Sequence, residues 1–494
     1  MNIGLNPQEA WQPLPGSDWN MEAVRHLLRR TCWTALPNFT QSSYELGLSQ
    51  TLERLYPAKP LGFEKPKPVE DLEEYSPEYA RKLSKASPEQ RRQLQREARE
   101  RSQSAYVEMV IQWLQQAAKP EYSAFEKWML FLEDVWVITS EKVRNTALIY
   151  KHQETIRENT VGTYPTMAKA ISRSPAMVMF LDLQQSQKTA PNENFARELF
   201  ELFVLGEGNY TEKDIKEAAK AFTGYRQKLG EFFFAPGQHD AGPKTVFGET
   251  GNFSGDDVID LAFKQKASGT FLPKEMVRWY LSETPLPAEY TDALGDWWAS
   301  TGYDMRALTQ KFFSSRLFFS PEFRGNYIKS PVQFYLGLVQ DLDLDVTPLQ
   351  RYTVAPLRLM GQVIFNPINV RGWIGGRTWI NAATLTARRQ VVETLFAPFN
   401  ENNLNADEQI DIAAARSRGT TNFTVSNERF QPLANLSPED IVNRFVDYFL
   451  PVKVDGTYRQ AIHDFIAGGD PTKRLNRVRN AAITLLQSPE YELC

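Results

Sequence analysis

The chain has 494 residues, a hydrophobic fraction of 42%, a charged fraction of 23% and a formal net charge of −4. This is an ordinary globular composition, and the length exceeds the usual size of one hydrophobic core, which predicts two or more lobes or one large helical body. The small net charge excludes a global electrostatic reason to bind nucleic acid or an anionic membrane.

The N-terminal segment contains no recognisable targeting signal. It lacks a basic stretch followed by an apolar one, and the chain contains no run of about 18 apolar residues that could span a bilayer. As given, the sequence predicts a cytoplasmic protein without a membrane span. A trimmed form of an exported protein would read much the same.

Cysteine and histidine are scarce. The two cysteines, Cys32 and Cys494, lie near opposite ends of the chain and are expected to be free thiols rather than a disulfide or a zinc site. There are only four histidines. Any metal site must therefore depend mainly on carboxylates.

Helical periodicity dominates the chain. Residues 73–116 are highly charged, and Ser87-Pro88-Glu89 within them has the cap, the proline and the acid that favour a helix start. Residues 123–139 are strongly apolar and predict a helix at the centre of the core. Thr211 with Asp214 predicts a capped start for a helix over residues 212–223.

The densest group of ionisable residues lies on one predicted helix within residues 191–225. Glu193, Arg197 and Glu201 follow each other at i, i+4 and i+8 on one helix face, and Glu198 neighbours Glu201 at i+3. Two interpretations stay open. Arg197 could be held between carboxylates in a structural network, or Arg197, Glu198 and Glu201 could belong to a catalytic or binding site.

Residues 230–253 interrupt the helical pattern. Three phenylalanines precede Pro236-Gly237 and glycines recur, which predicts a loop or a small β-hairpin. His239 and Asp240 lie in this segment. If it folds back onto the preceding helix, Glu198 or Glu201 with His239 and Asp240 would form an oxygen-rich site for a divalent metal. Alternatively, His239 would act as a general base oriented by a carboxylate.

Two further segments are candidate binding sites. Lys244 stands among glycines as in a phosphate-binding loop, but the motif spacing is absent. Farther on, Arg371, Trp373, Arg377 and Trp379 alternate cations with indoles around two glycines. Such a patch could stack on a sugar or clamp an anion; the alternative is a packed loop stabilised by cation–π contacts.

These patterns together predict a mostly α protein. It would be a large multi-helix globular body with a small irregular or β-hairpin insertion near 230–253. We expect a main helical body over residues 1–390, a polar loop or insertion over 391–430, and C-terminal helices over 431–494 that pack on the main body.

Several blocks resemble a bacterial family. Residues 191–206, PNENFARELFELFVLG, resemble its P-N-E-N-aromatic-A-R-E-L core, and further matching blocks lie at 26–30, 174–182, 365–381 and 488–491. The chain is thus similar, over nearly its whole length, to the bacterial domain-of-unknown-function family 1800 (DUF1800). The resemblance does not supply an activity.

The family resemblance carries further implications. Members are often exported, and their genes often neighbour a family related to sulfatases and alkaline phosphatases, which implies a partner of that type. Members commonly carry F-W-H-N-H-F in the central helix, where residues 131–136 here read Phe-Leu-Glu-Asp-Val-Trp. If the missing histidines bind metal or transfer protons in relatives, this chain has lost or altered that chemistry.

Two functional hypotheses follow. One is a metal-dependent or hydrolase-like enzyme with a carboxylate–histidine site between helix 193–201 and loop 239–244. The other is a non-catalytic binding or scaffold protein that acts with a partner. Close approach of His239 or Asp240 to Glu198 or Glu201 beside a pocket would favour the enzyme. An Arg197 sealed in a carboxylate network, with those groups apart, would count against it.

Overall fold

The computed structural model describes residues 3–494. Helices make up 62% of it, with 26 helices and two small antiparallel hairpins in this described part of the chain. The prediction of a mostly α fold with a small β insertion is confirmed. Within residues 3–494, no helix combines the length and the apolar character needed to cross a membrane.

The first half of the chain is a succession of helices joined by short turns. They are α1 (Pro7–Ala10), α2 (Met21–Thr31), α3 (Pro37–Leu46), α4 (Leu48–Leu55), α5 (Lys67–Glu70), α6 (Pro77–Lys85), α7 (Pro88–Ala117), α8 (Pro120–Val135), α9 (Ser140–Val143), α10 (Thr146–Glu158), α11 (Tyr164–Ser172), α12 (Pro175–Phe180), α13 (Asn194–Glu198) and α14 (Glu212–Ala221).

Helices α7 and α8 form the centre of this half. The side chain of Ser87 and that of Gln90 cap each other's backbone at the start of α7, as a capping box requires. The first half of α7 is solvated, whereas Met109 and Trp113 in its second half are fully buried. Helix α8 is buried on nearly all sides from Ser123 onward, and its charged residues Glu126, Lys127, Glu133 and Asp134 are buried along with its apolar ones.

Helix α13 continues into a π-helical turn over Leu199–Val204. A π turn has a wider repeat than an α-helix, so it rotates the following side chains away from the face that a 3.6-residue repeat would predict. Arg197 before the turn and Glu201 within it therefore face different neighbours. This change of repeat determines the geometry of the candidate site.

Two hairpins follow α14. Strands β1 (Tyr225–Lys228) and β2 (Glu231–Phe234) form one, and β3 (Lys244–Val246) and β4 (Glu249–Gly251) form the other. Both have two-residue turns in which each residue has a positive φ, as a type I′ turn requires. The glycine at the second turn position, Gly230 or Gly248, adopts this conformation without strain.

The second half returns to helices, with a further core at its edge. They are α15 (Gly255–Phe263), α16 (Lys266–Tyr280), α17 (Ala288–Ser300), α18 (Met305–Ser314), α19 (Pro331–Asp341), α20 (Val354–Leu359), α21 (Ala382–Phe396), α22 (Ala406–Ser417), α23 (Gln431–Ala434), α24 (Pro438–Phe449), α25 (Gly456–Ala467) and α26 (Arg474–Leu486).

One large cluster of buried apolar side chains extends from the N-terminal helices to the C-terminal ones. It includes Trp33 and Trp128 as well as Phe445 and Leu485 of the last helices. A second, small cluster forms around Ile412 of α22. The polar stretch 391–430 therefore contains the end of α21 and helix α22, and it forms most of the second cluster together with Leu349.

Candidate functional site

A cleft of about 500 Å³ opens between the π-helical turn, α16 and the irregular segment before α21. We call it the central cleft. Its lining consists of Asp134, Val135, Glu201, Leu202, Leu205, Gly206, Glu207, Asn209, Phe271, Lys274, Glu275, Arg278, Val370, Arg371, Trp373 and Ile374. Two segments that carry the family resemblance, 191–206 and 365–381, thus contribute to one cavity together with Asp134 and Val135, from the segment where the chain departs from the family.

One side of the central cleft is closed by Arg371. Its guanidinium donates to Glu201 Oε1 at 2.9 Å and to Glu207 Oε1 at 2.6 Å. The other oxygen of Glu201 accepts a hydrogen bond of 2.7 Å from the Tyr210 hydroxyl. Both oxygens of Glu201 are therefore occupied, and the ion pair joins the π-helical turn to the segment 365–381.

The opposite side is organised by Arg278 of α16. Its Nη2 donates to Asp134 Oδ2 and its Nε to Glu275 Oε2, both at 2.7 Å. Its Nη1 donates to the backbone carbonyl of Trp373 at 3.2 Å. One guanidinium thereby holds α8, α16 and the segment 365–381 in a fixed relation.

Asp134 forms the buried end of this network. Its side chain is fully buried, and its second oxygen accepts a hydrogen bond from the backbone N–H of Trp373. Burial raises the pKa of Asp134 to about 6, although Arg278 and the Trp373 N–H both oppose the rise. Gly372 has a φ of +81°, and a Cβ there would lie 2.2 Å from Asp134 Oδ1, so only glycine allows this approach.

Glu133, the neighbour of Asp134 on α8, is also buried, and neither of its carboxyl oxygens has a hydrogen-bond partner. Burial raises its pKa well above the ordinary value, and the nearby Arg157 only partly opposes this. Burial without a hydrogen-bond partner disfavours the charged form of this carboxyl group. Glu133 and Asp134 therefore differ in surroundings, since Glu133 has no hydrogen-bond partner and Asp134 is hydrogen-bonded to the wall of the cleft.

The structure separates the residues predicted for the 193–201 helix. Arg197 donates to both oxygens of Glu212 on α14, at 2.7 and 2.9 Å, and to Glu193 at 3.3 Å. It makes no hydrogen bond to Glu201. Burial and the negative charge of Glu201 raise the pKa of Glu198, while Arg371 opposes the rise. Arg197 thus belongs to a carboxylate network beside α14, whereas Glu198 and Glu201 lie near Arg371.

His239 and Asp240 have local partners. The Nδ1 of His239 lies 2.9 Å from the carbonyl oxygen of Thr223, and its ring meets Phe234 edge-on. The backbone N–H of Asp240 donates to the Thr223 hydroxyl, and its carboxylate accepts from the N–H of Gly242. In residues 3–494, no hydrogen bond or ion pair joins either residue to Glu198 or Glu201. Their contacts fix the connection between the two hairpins.

Lys244 is buried, and its ammonium donates to the carbonyl oxygens of Asp240 and Gly242 at 2.7 and 2.9 Å. Burial lowers the pKa of Lys244. The amine faces its own loop and stabilises the turn before β3, so a phosphate would have to displace these carbonyls to reach it.

The four residues of the predicted cation–indole patch, Arg371, Trp373, Arg377 and Trp379, do not share one surface. Trp373 and Trp379 are buried in the main core, with Trp373 packed near Trp279. Arg371 and Arg377 extend into solvent, and Arg377 is 92% exposed. The indoles therefore anchor the segment 365–381 to the body and leave the cations on its outer surface.

Metal-ligating side chains do not converge in the described residues. Across residues 3–494, no group of three or more histidine, cysteine, aspartate or glutamate side chains has the arrangement needed to hold a metal ion. Four cleft residues that the sequence patterns did not single out matter most for its chemistry, namely Asp134, Lys274, Glu275 and Arg278. Adjacent acids in the apolar stretch 123–139 were the available signal for Asp134.

The family model described as "Protein of unknown function (DUF1800)" matches residues 26–493. The chain belongs to this family. The matched range contains every residue that lines the central cleft. Neither a search of curated proteins nor a search of solved structures finds a match. As a member of DUF1800, the chain keeps the resembling segments 191–206 and 365–381 in contact through Arg371 and Glu201.

Proposed function

We propose that this DUF1800 member is a binding protein and that the central cleft takes up a small zwitterionic ligand, an amino acid or the end of a short peptide. The observation that carries the proposal is the arrangement of charged groups left without a full set of protein partners. The cavity of about 500 Å³ is in the range that small-molecule sites occupy.

Two carboxylates supply sites for a cationic group. Glu207 and Glu275 each use one oxygen to bind an arginine, and the other oxygen of each makes no hydrogen bond to the described protein. Glu207 is well exposed and Glu275 is half-buried. An ammonium group has three donors and matches such a pair of acceptors.

Lys274 supplies the complementary charge. It lies on α16 in the lining of the cleft and makes no ion pair or side-chain hydrogen bond in the described structure. The lining also contains apolar side chains, including Leu202, Phe271 and Val370. A ligand with an ammonium group, a carboxylate and an apolar part satisfies all three features of the lining.

The hydrolase hypothesis has weaker geometric support. It needs Glu198 or Glu201 to meet His239, whereas both oxygens of Glu201 are occupied and His239 is bonded to Thr223. Asp134 is also fully occupied. Glu201 and Asp134 therefore act as positioning groups in this proposal.

Calorimetry with two ligands tests the proposal. One is L-leucine, and the other is isoamylamine, which is leucine without its carboxylate. We expect L-leucine to bind more tightly, and Lys274→Met to remove this difference by weakening leucine about tenfold, since a charge-assisted hydrogen bond contributes about 1.5–3 kcal/mol. Glu207→Gln should weaken both ligands, whereas Glu100→Gln, on the exposed face of α7, should weaken neither.

Two outcomes would overturn this function. The first is that no amino acid or dipeptide binds at millimolar concentration. The second is hydrolysis of phosphate, sulfate or glycoside esters by the wild type that is lost in both Glu198→Gln and His239→Ala, because only the enzyme hypothesis joins those two residues.

We further propose that the partner related to sulfatases and alkaline phosphatases contacts the outer surface of the segment 365–381. Ile368 and Ile374 are 72% and 69% exposed there, on a segment whose indoles anchor it to the core. Co-sedimentation of the two proteins should be lost in Ile374→Asp and kept in Ile410→Asp, an equally exposed isoleucine on α22. Equal binding by both variants would remove this surface from the proposal.

A further inference from the structure

A second cavity, of about 220 Å³, lies between α2 and the C-terminal helices, away from the central cleft. We call it the basic pocket. Its ionisable lining residues are Glu22, Arg25, His26, Arg29, Arg324, Asp447, Lys453, Arg459 and Cys494. Five of these are arginine or lysine, against Glu22, Asp447 and Cys494, so the lining carries an excess of positive charge.

Two of the cations are already neutralised. Arg324 pairs with Glu22 at 3.1 Å, and Arg459 pairs with Asp447 at 3.0 Å. These pairs use both acidic side chains of the lining. Arg25, Arg29 and Lys453 remain, and none of them forms an ion pair in residues 3–494.

Arg29 is the central group of the basic pocket. Of its five N–H donors, one donates to a protein acceptor, the carbonyl oxygen of Tyr448 at 3.2 Å. Burial lowers the pKa of Arg29 to about 10; Asp341 opposes this and Arg25 adds to it. The guanidinium is thus half-buried, forms no ion pair in residues 3–494 and makes one hydrogen bond to the protein.

Arg25 and Arg29 are also related by helix geometry. They stand at i and i+4 on α2, where like charges repel and destabilise the helix. His26 beside them adds no positive charge, because burial and Arg30 lower its pKa well below the ordinary value. An anion between the two guanidiniums would convert this repulsion into attraction.

We propose that the basic pocket binds a small tetrahedral oxyanion of the phosphate or sulfate class, either free or at the end of an ester. Arginine forks match the oxygens of such anions with paired, directed hydrogen bonds, and Lys453 adds a point charge at the rim. The cavity is smaller than most sites for drug-sized ligands, which favours a single anionic group over an extended molecule.

The proposal can be tested by titrating the full chain with sodium phosphate, sodium sulfate and glycerol 3-phosphate. Each titration is compared with one in sodium chloride of equal ionic strength. We expect saturable binding and a rise in the thermal unfolding midpoint, since a ligand of the folded state stabilises it. Arg29→Met and Arg25→Met should each weaken binding about tenfold or more. Arg92→Met, which removes an exposed and unpaired arginine of α7, should leave it unchanged.

The choice of variants keeps the test informative even if one of them fails to fold. If Arg29→Met does not fold, Arg25→Met and Lys453→Met alter exposed side chains and serve in its place. Binding of inorganic anions supports a free ligand, and binding of glycerol 3-phosphate alone supports an esterified one. Binding that matches chloride, or that survives in Arg25→Met and Lys453→Met, would overturn the proposal.

Discussion

Arg157→Leu should lower the free energy of unfolding by about 3–5 kcal/mol, because it leaves an unpaired carboxylate in the core. Arg157 and Glu126 are 3% and 0% exposed and form two parallel hydrogen bonds of 2.8 and 3.0 Å. Glu126 also accepts from the indole of Trp113 and the amide of Gln116. Urea unfolding at neutral pH measures the loss.

The double variant Glu126→Leu/Arg157→Leu is the decisive control for this pair. With both charges removed, the donors of Trp113 and Gln116 lose their acceptor and the Leu61 carbonyl loses its donor, but no charged carboxylate remains at position 126. The double variant should therefore be more stable than Arg157→Leu alone. A double variant as unstable as the single one would show that the ion pair itself, rather than the orphaned charge, accounts for the stability.

Asp134→Ala should lower the free energy of unfolding by about 3 kcal/mol or more, because it orphans the Trp373 N–H and removes one partner of Arg278. The segment 365–381 loses its attachment to α8, so hydrogen exchange should accelerate there and amino-acid binding by the central cleft should weaken. Asp296→Ala, an exposed aspartate of α17, should have little effect on either measurement.

The difference in stability between the wild type and Asp134→Ala should change with pH in one direction. The folded-state pKa of Asp134, about 6, lies above its ordinary value of 3.8. This group therefore contributes its full stability below pH 3.8 and loses that contribution as pH rises towards 6. The wild type should gain stability relative to Asp134→Ala as the pH falls through this window. A difference between the two proteins that stays constant from pH 7 to 4 would contradict the assignment.

The glutamates and the arginine of residues 193–201 illustrate where sequence spacing stops being informative. A regular helix places Glu193, Arg197 and Glu201 on one face, and in the structure Arg197 pairs with Glu193. The π-helical turn then rotates Glu201 towards Arg371, about 170 residues farther along the chain. The local sequence pattern predicts neither the π-helical turn nor the pairing of Glu201 with Arg371.

The burial of individual side chains was also hard to predict from the local sequence pattern. Trp373 and Trp379 alternate with arginines as an exposed stacking patch would, yet their indoles lie in the core. Asp134 and Arg278, both distant in sequence, hydrogen-bond the backbone of Trp373. His239 stood out because it lies in a glycine-rich segment. Its partner, the carbonyl of Thr223, is a backbone atom that no residue pattern reports.

The sequence by itself determined the fold class and the family. Helical periodicity, capping residues and glycine-marked turns are local properties, and they are enough to predict a mostly α body with a small hairpin insertion. Blocks of matching residues at 26–30, 191–206 and 365–381 were enough to recognise DUF1800. These features need no knowledge of which segments touch.

The tertiary structure alone decided which charges meet and which remain free. Ion pairs such as Arg278–Asp134 and Arg371–Glu201 join segments far apart in the chain. In residues 3–494, Lys274, Arg25 and Arg29 line cavities without forming an ion pair. A charged side chain becomes a binding group when folding gives it a cavity but no counter-charge. That condition depends on the whole packed molecule. For this reason we propose binding sites at the central cleft and the basic pocket rather than at the His239 loop.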